Sequence, residues 1–590
     1  MKRILQKIIV SSLFYVNLLF MRVFIGADHA GFSLKEQVKV FLSKFEIPFV
    51  DVGAFTDKEP SDYPDFSKAV AEAVAVGKAE FGILICGTGI GSAIVANKFI
   101  GVRAAIVYNE YTAKMAKLHN NANVVVFPAR IIAPHYAEVL LKIFLETQFE
   151  GGRHKRRVDK ISDMEKGVLI NQLGSLKFYD PEVFSAIISE FKKQELMLNL
   201  VASENMASFR VLATVANPMS NKYAEGYPAK RYYGGCEFVD IVEELAKKRV
   251  LDIFNCSESY FANVQPHSGT QANQAIFLSF LKPGDKFLGM DLTCGGHLSH
   301  GSPVNTSGII YTAIPYGVRR DTELIDYDQV EDLAKREKPK MIIAGASSYP
   351  RQIDWQKFSE IAKSVGAIFL ADIAHPAGLV AAGVFPSPVG HADFITFTTH
   401  KTMRGPRGAV ILGLKDYEKR VNSAVFPGIQ GGPFMHIIAA KAVCFKEAQE
   451  ESFKDYQAKV LENARVLAEE FATLGYRVVT GGTDSHIVLL DLTKKGIGGG
   501  DAEKVLYKAG IILNKNVIPY DQRKPVNPSG LRLGTPSLTT RGMGKVQMKY
   551  VARLIDRVLS DRDDVEKIRK EVLDFCSNFP FYASIIKELE

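Results

Sequence analysis

Two hydrophobic periods alternate along the chain from Met21 onward. Short apolar runs (VFIGADH, PFVDVG, FGILIC, VRAAIVY, NVVVFPA) read as strands. Between them FSLKEQVKVFLSKF, SDYPDFSKAVAEAVAVG, the segment after the CGTGIG turn, and EVLLKIFLETQF carry helical spacing. This alternation predicts an α/β domain with a doubly wound parallel sheet. Further on, helical spacing covers Pro181 to Leu196. Apolar runs end at Asp372 (IFLAD) and Thr398 (ADFITFT), and ESFKDYQAKVLENARVLAEEFATL forms a long amphipathic helix. Strands and helices of a smaller α/β domain follow it.

At 590 residues the chain is too long for one ordinary domain. Residues 1–20 place Lys2, Arg3 and Lys7 before IIVSSLFYVNLLF, which has the outline of a signal peptide. The apolar run is broken by Ser11, Ser12 and Asn17, is too short to span a bilayer, and no small-residue cleavage site follows. The reading adopted is an extension upstream of a start at Met21, with export as the alternative. Residues 21–166 form the first domain and 167–590 the second. The polar segment VDKISDMEKGVLINQLGS provides a helical tail and linker. The second domain divides near residue 450 into a large and a small part.

Hydrophobic residues make up 47% and charged residues 23%, as in ordinary globular protein. A net charge of +8 without a clustered basic face suits anionic small molecules and not nucleic acid. The six cysteines have no paired spacing, which indicates a reducing compartment and a cytoplasmic protein. No metal-ligand spacing stands out.

The chemistry of the second domain centres on THKTMRGPRG. Lys401 follows an apolar strand and precedes a glycine- and proline-rich turn. A lone loop lysine is usually solvated, but one held at the end of a buried strand has its pKa depressed by desolvation. Such an amine can attack a carbonyl and hold a Schiff base. Asp372 ends another apolar run, where α/β folds bind ligands. There it can pair with a protonated pyridine nitrogen or simply cap the following turn. The order Asp372, His375, Lys401 suits pyridoxal 5′-phosphate.

SEN from Ser203, NKYAEGYPAKRYYGG, QPHSGTQAN, GGHLSHGSPVN, THKTMRGPRG, FPGIQGGP and LRLGTPS together resemble the serine hydroxymethyltransferases, fold-type I pyridoxal-phosphate enzymes, from about residue 170 to the end. The resemblance implies a cofactor site of Lys401, Ser268, Gly269, Thr270, His297, Ser347, Asp372, His375 and His400. Gly431 and Gly432 would add phosphate contacts from the other subunit. Thr270 stands where serine is usual and keeps the hydroxyl. The resemblance also makes Glu225 the acid–base residue, His297 the ring-stacking residue and Arg532 the substrate-carboxylate residue. Ser203, Tyr223 and Tyr233 line the site, and Asn514 contacts folate. Tyr223, Glu225 and Tyr233 reach the neighbouring subunit's site, so a homodimer is expected. The implied substrates are serine, glycine and tetrahydrofolate. Threonine aldolase activity on the same cofactor is the rival of the same class.

In the first domain CGTGIG brings backbone N–H groups to a helix start, a cradle for an anion. Its G-x-G-x-G spacing differs from a dinucleotide fingerprint. Cys86 at that helix start suits a thiolate base; as an isolated residue it reads as a small buried hydrophobe. GADHAGF, SDYPDF, ICGTGIGSAIVANK, LHNNANV and EGGRHKRRV resemble type B ribose-5-phosphate isomerases over residues 21–160. The resemblance implies Cys86 as the base between C1 and C2. Thr88 and the amides of Gly87, Gly89 and Gly91 would bind the oxyanion. His119 with Asp28 would open the sugar ring. His29, Asn120, Arg153 and Arg157 would bind substrate and its phosphate. Ribose 5-phosphate is the expected pentose phosphate, with allose 6-phosphate open. A bifunctional enzyme without nucleic-acid or membrane partners is therefore expected. The rival reading makes the first domain a structural appendage.

Overall fold

The computed structural model describes residues 22–99, 101–164, 176–560 and 563–589. The expected extension (1–20) and most of the linker (165–175) lie outside the described residues. The chain falls into two compact units, Met1–Tyr179 and Asp180–Glu590.

In the first unit, strands β1 (Val23–Ala27), β2 (Phe49–Asp51), β3 (Phe81–Cys86), β4 (Ala104–Ile106) and β5 (Val124–Pro128) form one sheet ordered β2-β1-β3-β5-β4. Every pairing is parallel. All residues of β3 and β5 are buried, because helices cover both faces. Val23, Ile25, Ile83 and Val125 pack under one layer of helices, and Leu84, Val124 and Val126 under the other. The order in which strands are added switches from one side of β1 to the other at β3, so the crevice beyond the carboxyl ends of these two strands is the expected ligand site. All but the last three residues of EVLLKIFLETQF lie in the helix Pro134–Glu146, which is not the last helix of the unit. EGGRHKRRV contributes to a further one, Gly152–Met164, whose polar composition hides its period.

The second unit carries β6 (Tyr260–Asn263), β7 (Lys286–Met290), β8 (Thr312–Tyr316), β9 (Met341–Gly345), β10 (Ile368–Asp372), β11 (Phe394–Thr398) and β12 (Ala409–Leu414). They form a seven-stranded sheet ordered β8-β7-β9-β10-β11-β12-β6, with β12 antiparallel to both neighbours. This mixed sheet between helical layers matches the fold-type I expectation.

A second, antiparallel sheet contains β13 (Arg477–Val478), β14 (Ile487–Asp491), β15 (Asn514–Asn516) and β16 (Gly530–Gly534), ordered β13-β14-β16-β15. The strand Leu198–Asn199 pairs with Ile511–Ile512, and Leu198 and Leu200 join the core of this C-terminal part. The unit's first segment therefore packs with its last. No helix among the described residues is long and apolar enough to cross a membrane.

Candidate active sites

Lys401 lies just beyond β11 in a loop held by its own backbone. Thr399 N donates to Gly408 O (3.0 Å) and Gly405 N to Thr399 O (2.7 Å). Thr402 Oγ1 donates to His375 O (2.6 Å), and Asn205 Nδ2 to Lys401 O (3.0 Å). The lysine is 8% exposed. Burial pushes its ammonium down to about 8, against the pull of Asp372, with Arg532 and Arg407 adding to the depression.

Asp372 closes β10. Its Oδ2 accepts from Asn273 Nδ2 (2.9 Å) and lies 3.0 Å from His300 Nε2, while Oδ1 accepts from Ala374 N (3.0 Å). Burial works to raise this carboxyl. The bond to and charge of His300, with His297 and Asn273, overcome it and hold the group well below the usual carboxylate range. On the neighbouring strand, a Cβ at Gly345 would stand 2.3 Å from Asp372 O, so glycine alone lets the strands pair there. Asn273 Oδ1 accepts from Thr396 Oγ1 (2.7 Å), and its Nδ2 also reaches Ser299 Oγ (2.9 Å), which lies 2.8 Å from His297 Nδ1. The aspartate and the His297 ring thus belong to one buried network.

Lys401 and Asp372 line a cavity of about 380 Å³ together with Ser203, Ser268, Gly269, Thr270, His297, Ser347, His375, His400 and Arg532. Ser268 caps the helix Gly269–Phe280, accepting from Gln271 N (3.3 Å), so a helix N-terminus opens into the cavity. Arg532, on β16, donates to Ser347 O (2.7 Å) and Asn514 Oδ1 (3.0 Å). Burial lowers its pKa to about 10, which leaves it cationic at neutral pH. Burial keeps the imidazoles neutral: His297 is pushed to about 4, His400 to about 3, and His375 well below its ordinary value. His375 Nδ1 lies 3.2 Å from His486 Nε2.

Five sequence-selected residues lie elsewhere, around Gly431–Gly432. A Cβ on Gly431 would stand 3.4 Å from Glu225 Oε1, and one on Gly432 would stand 3.3 Å from the Tyr223 ring. Tyr223 and Tyr233 pack edge to face at 5.4 Å. Both tyrosines are exposed.

In the first unit, Asp28 and His29 follow β1 and Cys86 ends β3, at the crevice beyond the sheet's carboxyl edge. Asp28 is buried and accepts from Gly31 N (2.9 Å). Ser61 holds His29: its Oγ accepts from His29 N (2.9 Å), and its N lies 3.1 Å from His29 Nδ1. Gly89 has φ +76°, and a Cβ at Gly91 would meet the Tyr63 ring at 2.4 Å, so the glycine turn admits no side chains at these two positions. Thr88 Oγ1 accepts from Ile90 N (3.4 Å). Arg130 lies over Gly87, 3.3 Å from the position of a Cβ there.

His119 ends the helix Glu110–Leu118, which returns the chain to the start of β5. It therefore lies at the opposite, amino edge of the sheet. There its ring stacks on buried His154 (3.9 Å, 4°), and its Nε2 lies 3.6 Å from Glu150 Oε2. Arg153 Nε donates to His154 Nε2 (3.1 Å). Asn120, Arg153 and Arg157 are exposed beside this cluster. The three ligand-type side chains lie close together. Two parallel stacked imidazoles, however, do not aim in-plane lone pairs at one ion.

Sequence reasoning missed Asn273, His300, His486 and Arg407 in the second unit, and Arg130 and His154 in the first. Asn273, His300, Arg407 and His154 did stand inside quoted motifs, QPHSGTQAN, GGHLSHGSPVN, THKTMRGPRG and EGGRHKRRV.

The family model described as Ribose/Galactose Isomerase matches residues 23–161, and the one described as Serine hydroxymethyltransferase matches residues 176–555, more than half of the chain. The lysine–aspartate cavity lies within the second match and the cysteine crevice within the first, and the chain belongs to the serine hydroxymethyltransferase family, fused behind a unit of the ribose/galactose isomerase family.

Proposed function

We propose that the chain is a bifunctional cytoplasmic enzyme. The second unit interconverts serine and glycine, with tetrahydrofolate and 5,10-methylenetetrahydrofolate as one-carbon partners and pyridoxal 5′-phosphate as cofactor. The first interconverts ribose 5-phosphate and ribulose 5-phosphate. All six cysteines carry free thiols, which supports a reducing compartment.

One observation carries the first activity: a buried amine and an ionised carboxylate share one cavity with a serine-capped helix N-terminus. The donor set fits the cofactor. Lys401 suits an aldehyde, Asp372 a ring N–H, and Ser268, Gly269 and Thr270 a phosphate. His400 Nδ1 is buried without a hydrogen-bond partner among the described residues. When bound, the cofactor supplies the electron sink that lets a bond to an amino acid's α-carbon break.

Lys401 contributes an amine that is substantially neutral near pH 8, the form that attacks a carbonyl. Asp372 remains anionic and would accept the ring N–H of the bound cofactor. Arg532, aimed by Asn514 and Ser347, binds the substrate carboxylate through its planar fork. His297 offers a neutral aromatic face. Glu225, with Tyr223, Tyr233, Gly431 and Gly432, serves the neighbouring subunit's site. There Glu225 exchanges a proton with the serine hydroxyl. Asn514 also faces the folate. The test is an absorbance spectrum of the purified chain with added cofactor: a long-wavelength band is expected, and it disappears in Lys401→Ala. A colourless wild type sinks the reading.

For the isomerase, Cys86 takes the proton between C1 and C2, and Thr88 with the turn amides stabilises the oxyanion. His119, Asn120, Arg153 and Arg157 lie across the sheet from Cys86, Asp28 and His29. A strand of this length separates the two edges by roughly 13 Å or more. We therefore assign the two groups to one site built from two copies of the unit. Interconversion of the two pentose phosphates by the wild type, lost in Cys86→Ala while serine cleavage persists, is the expected result. Equal loss of both activities contradicts it.

A further inference from the structure

Lys441 lies in the helix Met435–Ala448 and is 1% exposed. Its neighbours on that helix, Ile438, Ala440, Ala442, Cys444 and Phe445, are buried and apolar or small. A methionine would fill the same space without burying a charge. A buried ammonium is tolerated only where its N–H groups find acceptors, and here all three do. Nζ donates to Val264 O (2.7 Å), Ala409 O (2.8 Å) and Pro266 O (3.1 Å). Burial pushes the ammonium down to about 7 against the pull of Glu243, and because a neutral amine has only two N–H groups, the three carbonyls favour the charged form.

The three carbonyls belong to two segments far apart in sequence. Val264 and Pro266 lead from β6 into the loop that ends at Ser268. Ala409 opens β12, at the far end of the loop that starts at Lys401. Ala409 N also donates to Pro266 O (3.0 Å). A second buried side chain grips the first segment: Gln430 Oε1 accepts from His267 N (3.1 Å) and Gln430 Nε2 donates to Gln265 O (3.1 Å). The nearby acid Glu243 is already paired with Arg231 (2.6 Å), which leaves Lys441 to the carbonyls.

We infer that Lys441 is a positioning residue: it fixes the separation between the Ser268 loop and the Lys401 loop, so that one ligand is gripped by its phosphate at the first and by its aldehyde at the second. This rests on the reading of the cavity as a pyridoxal-phosphate site.

Lys441→Met keeps the length of the side chain and removes the donors: Val264 O and Ala409 O lose the ammonium, and Pro266 O keeps only the Ala409 N–H. Binding of pyridoxal 5′-phosphate and of pyridoxal, which lacks the phosphate, is measured on the full-length chain by absorbance titration, alongside thermal unfolding without ligand. The expected result is a dissociation constant for pyridoxal 5′-phosphate raised about tenfold or more, with that for pyridoxal changed by less than about threefold. Lys441→Gln retains N–H donors and should fall between wild type and Met; it carries the test if Lys441→Met does not fold. An unchanged preference for the phosphorylated ligand, or an equal loss for both ligands, overturns the inference. Failure of both variants to fold makes Lys441 a folding residue and overturns it too. A wild type that binds neither ligand sinks the cofactor reading instead.

Discussion

His300 Nε2 lies 3.0 Å from Asp372 Oδ2, with both side chains buried. Asn273 donates to the same oxygen. This pairing keeps the carboxyl ionised against the burial that works to neutralise it.

Removing the imidazole leaves burial less opposed, so in His300→Ala the Asp372 pKa rises. The protonated form no longer accepts a ring N–H. Cofactor affinity should fall by about tenfold or more, and the loss should deepen as the pH drops. Cofactor titrations between pH 5 and pH 9 check this. A pH-independent affinity equal to wild type contradicts it.

Lys401 imposes a stability cost before any cofactor binds. Its folded pKa of about 8 lies below the ordinary 10.5 of a lysine. Below pH 8 both folded and unfolded chains carry the proton, and the folded chain bears the full penalty, on the order of 3 kcal/mol. Between pH 8 and about 10.5 the folded chain releases the proton first, and stability rises. Cofactor-free Lys401→Met should therefore unfold at a higher denaturant concentration than wild type at pH 7, with the gap narrowing by pH 10. Denaturant melts at the two pH values check the sign.

Arg351 ties the loop after Ser347 to the loop before His486. Its guanidinium donates to Thr480 O (2.6 Å) and Oγ1 (3.1 Å) and to Asp484 Oδ1 (3.0 Å). These residues line a groove of about 1060 Å³ that lacks the lysine–aspartate pair. The groove is larger than the Lys401 cavity but is braced by ion pairs, including Arg477 with Glu323 (2.9 Å). Arg351→Ala should loosen the Ser347 carbonyl that aims Arg532. We expect KM for serine to rise about tenfold, with a smaller change in kcat. Steady-state kinetics separate the two, and a kcat effect alone counts against the assignment.

Cys86→Ala and His119→Ala chains should each lack isomerase activity. If the site is shared between copies, a hybrid dimer regains one intact site of two. Co-expression should then restore about a quarter of wild-type activity. No recovery in verified hybrids places the whole site in a single copy.

Residues at the ends of buried strands were legible from sequence. Cys86 and Asp372 each end an apolar run and Lys401 closely follows a strand, and the parallel topology puts those ends at a crevice. Ser268 was named through the resemblance, and the structure shows it capping the helix Gly269–Phe280. Asn273, His300 and Lys441 were not, because each acts through a partner 32 to 177 positions away. Periodicity carries no information about such pairs. His119 was legible as a residue but not as a location: its edge of the sheet follows from the direction of β5 and the helix that feeds it. The pairing of Glu225 with Gly431 likewise appears only once the chain is folded.

If, as proposed, Cys86 of one copy works with His119 of another, isomerisation becomes a property of encounter between molecules. A free-standing unit of this kind would fall silent on dilution, as its pairs come apart. Here each copy is leashed to a second unit that is itself expected to pair. If the larger halves join, the covalent connection raises the local concentration of the smaller ones. Sugar-phosphate turnover in the intact chain would then persist at dilutions set by the grip of the larger halves.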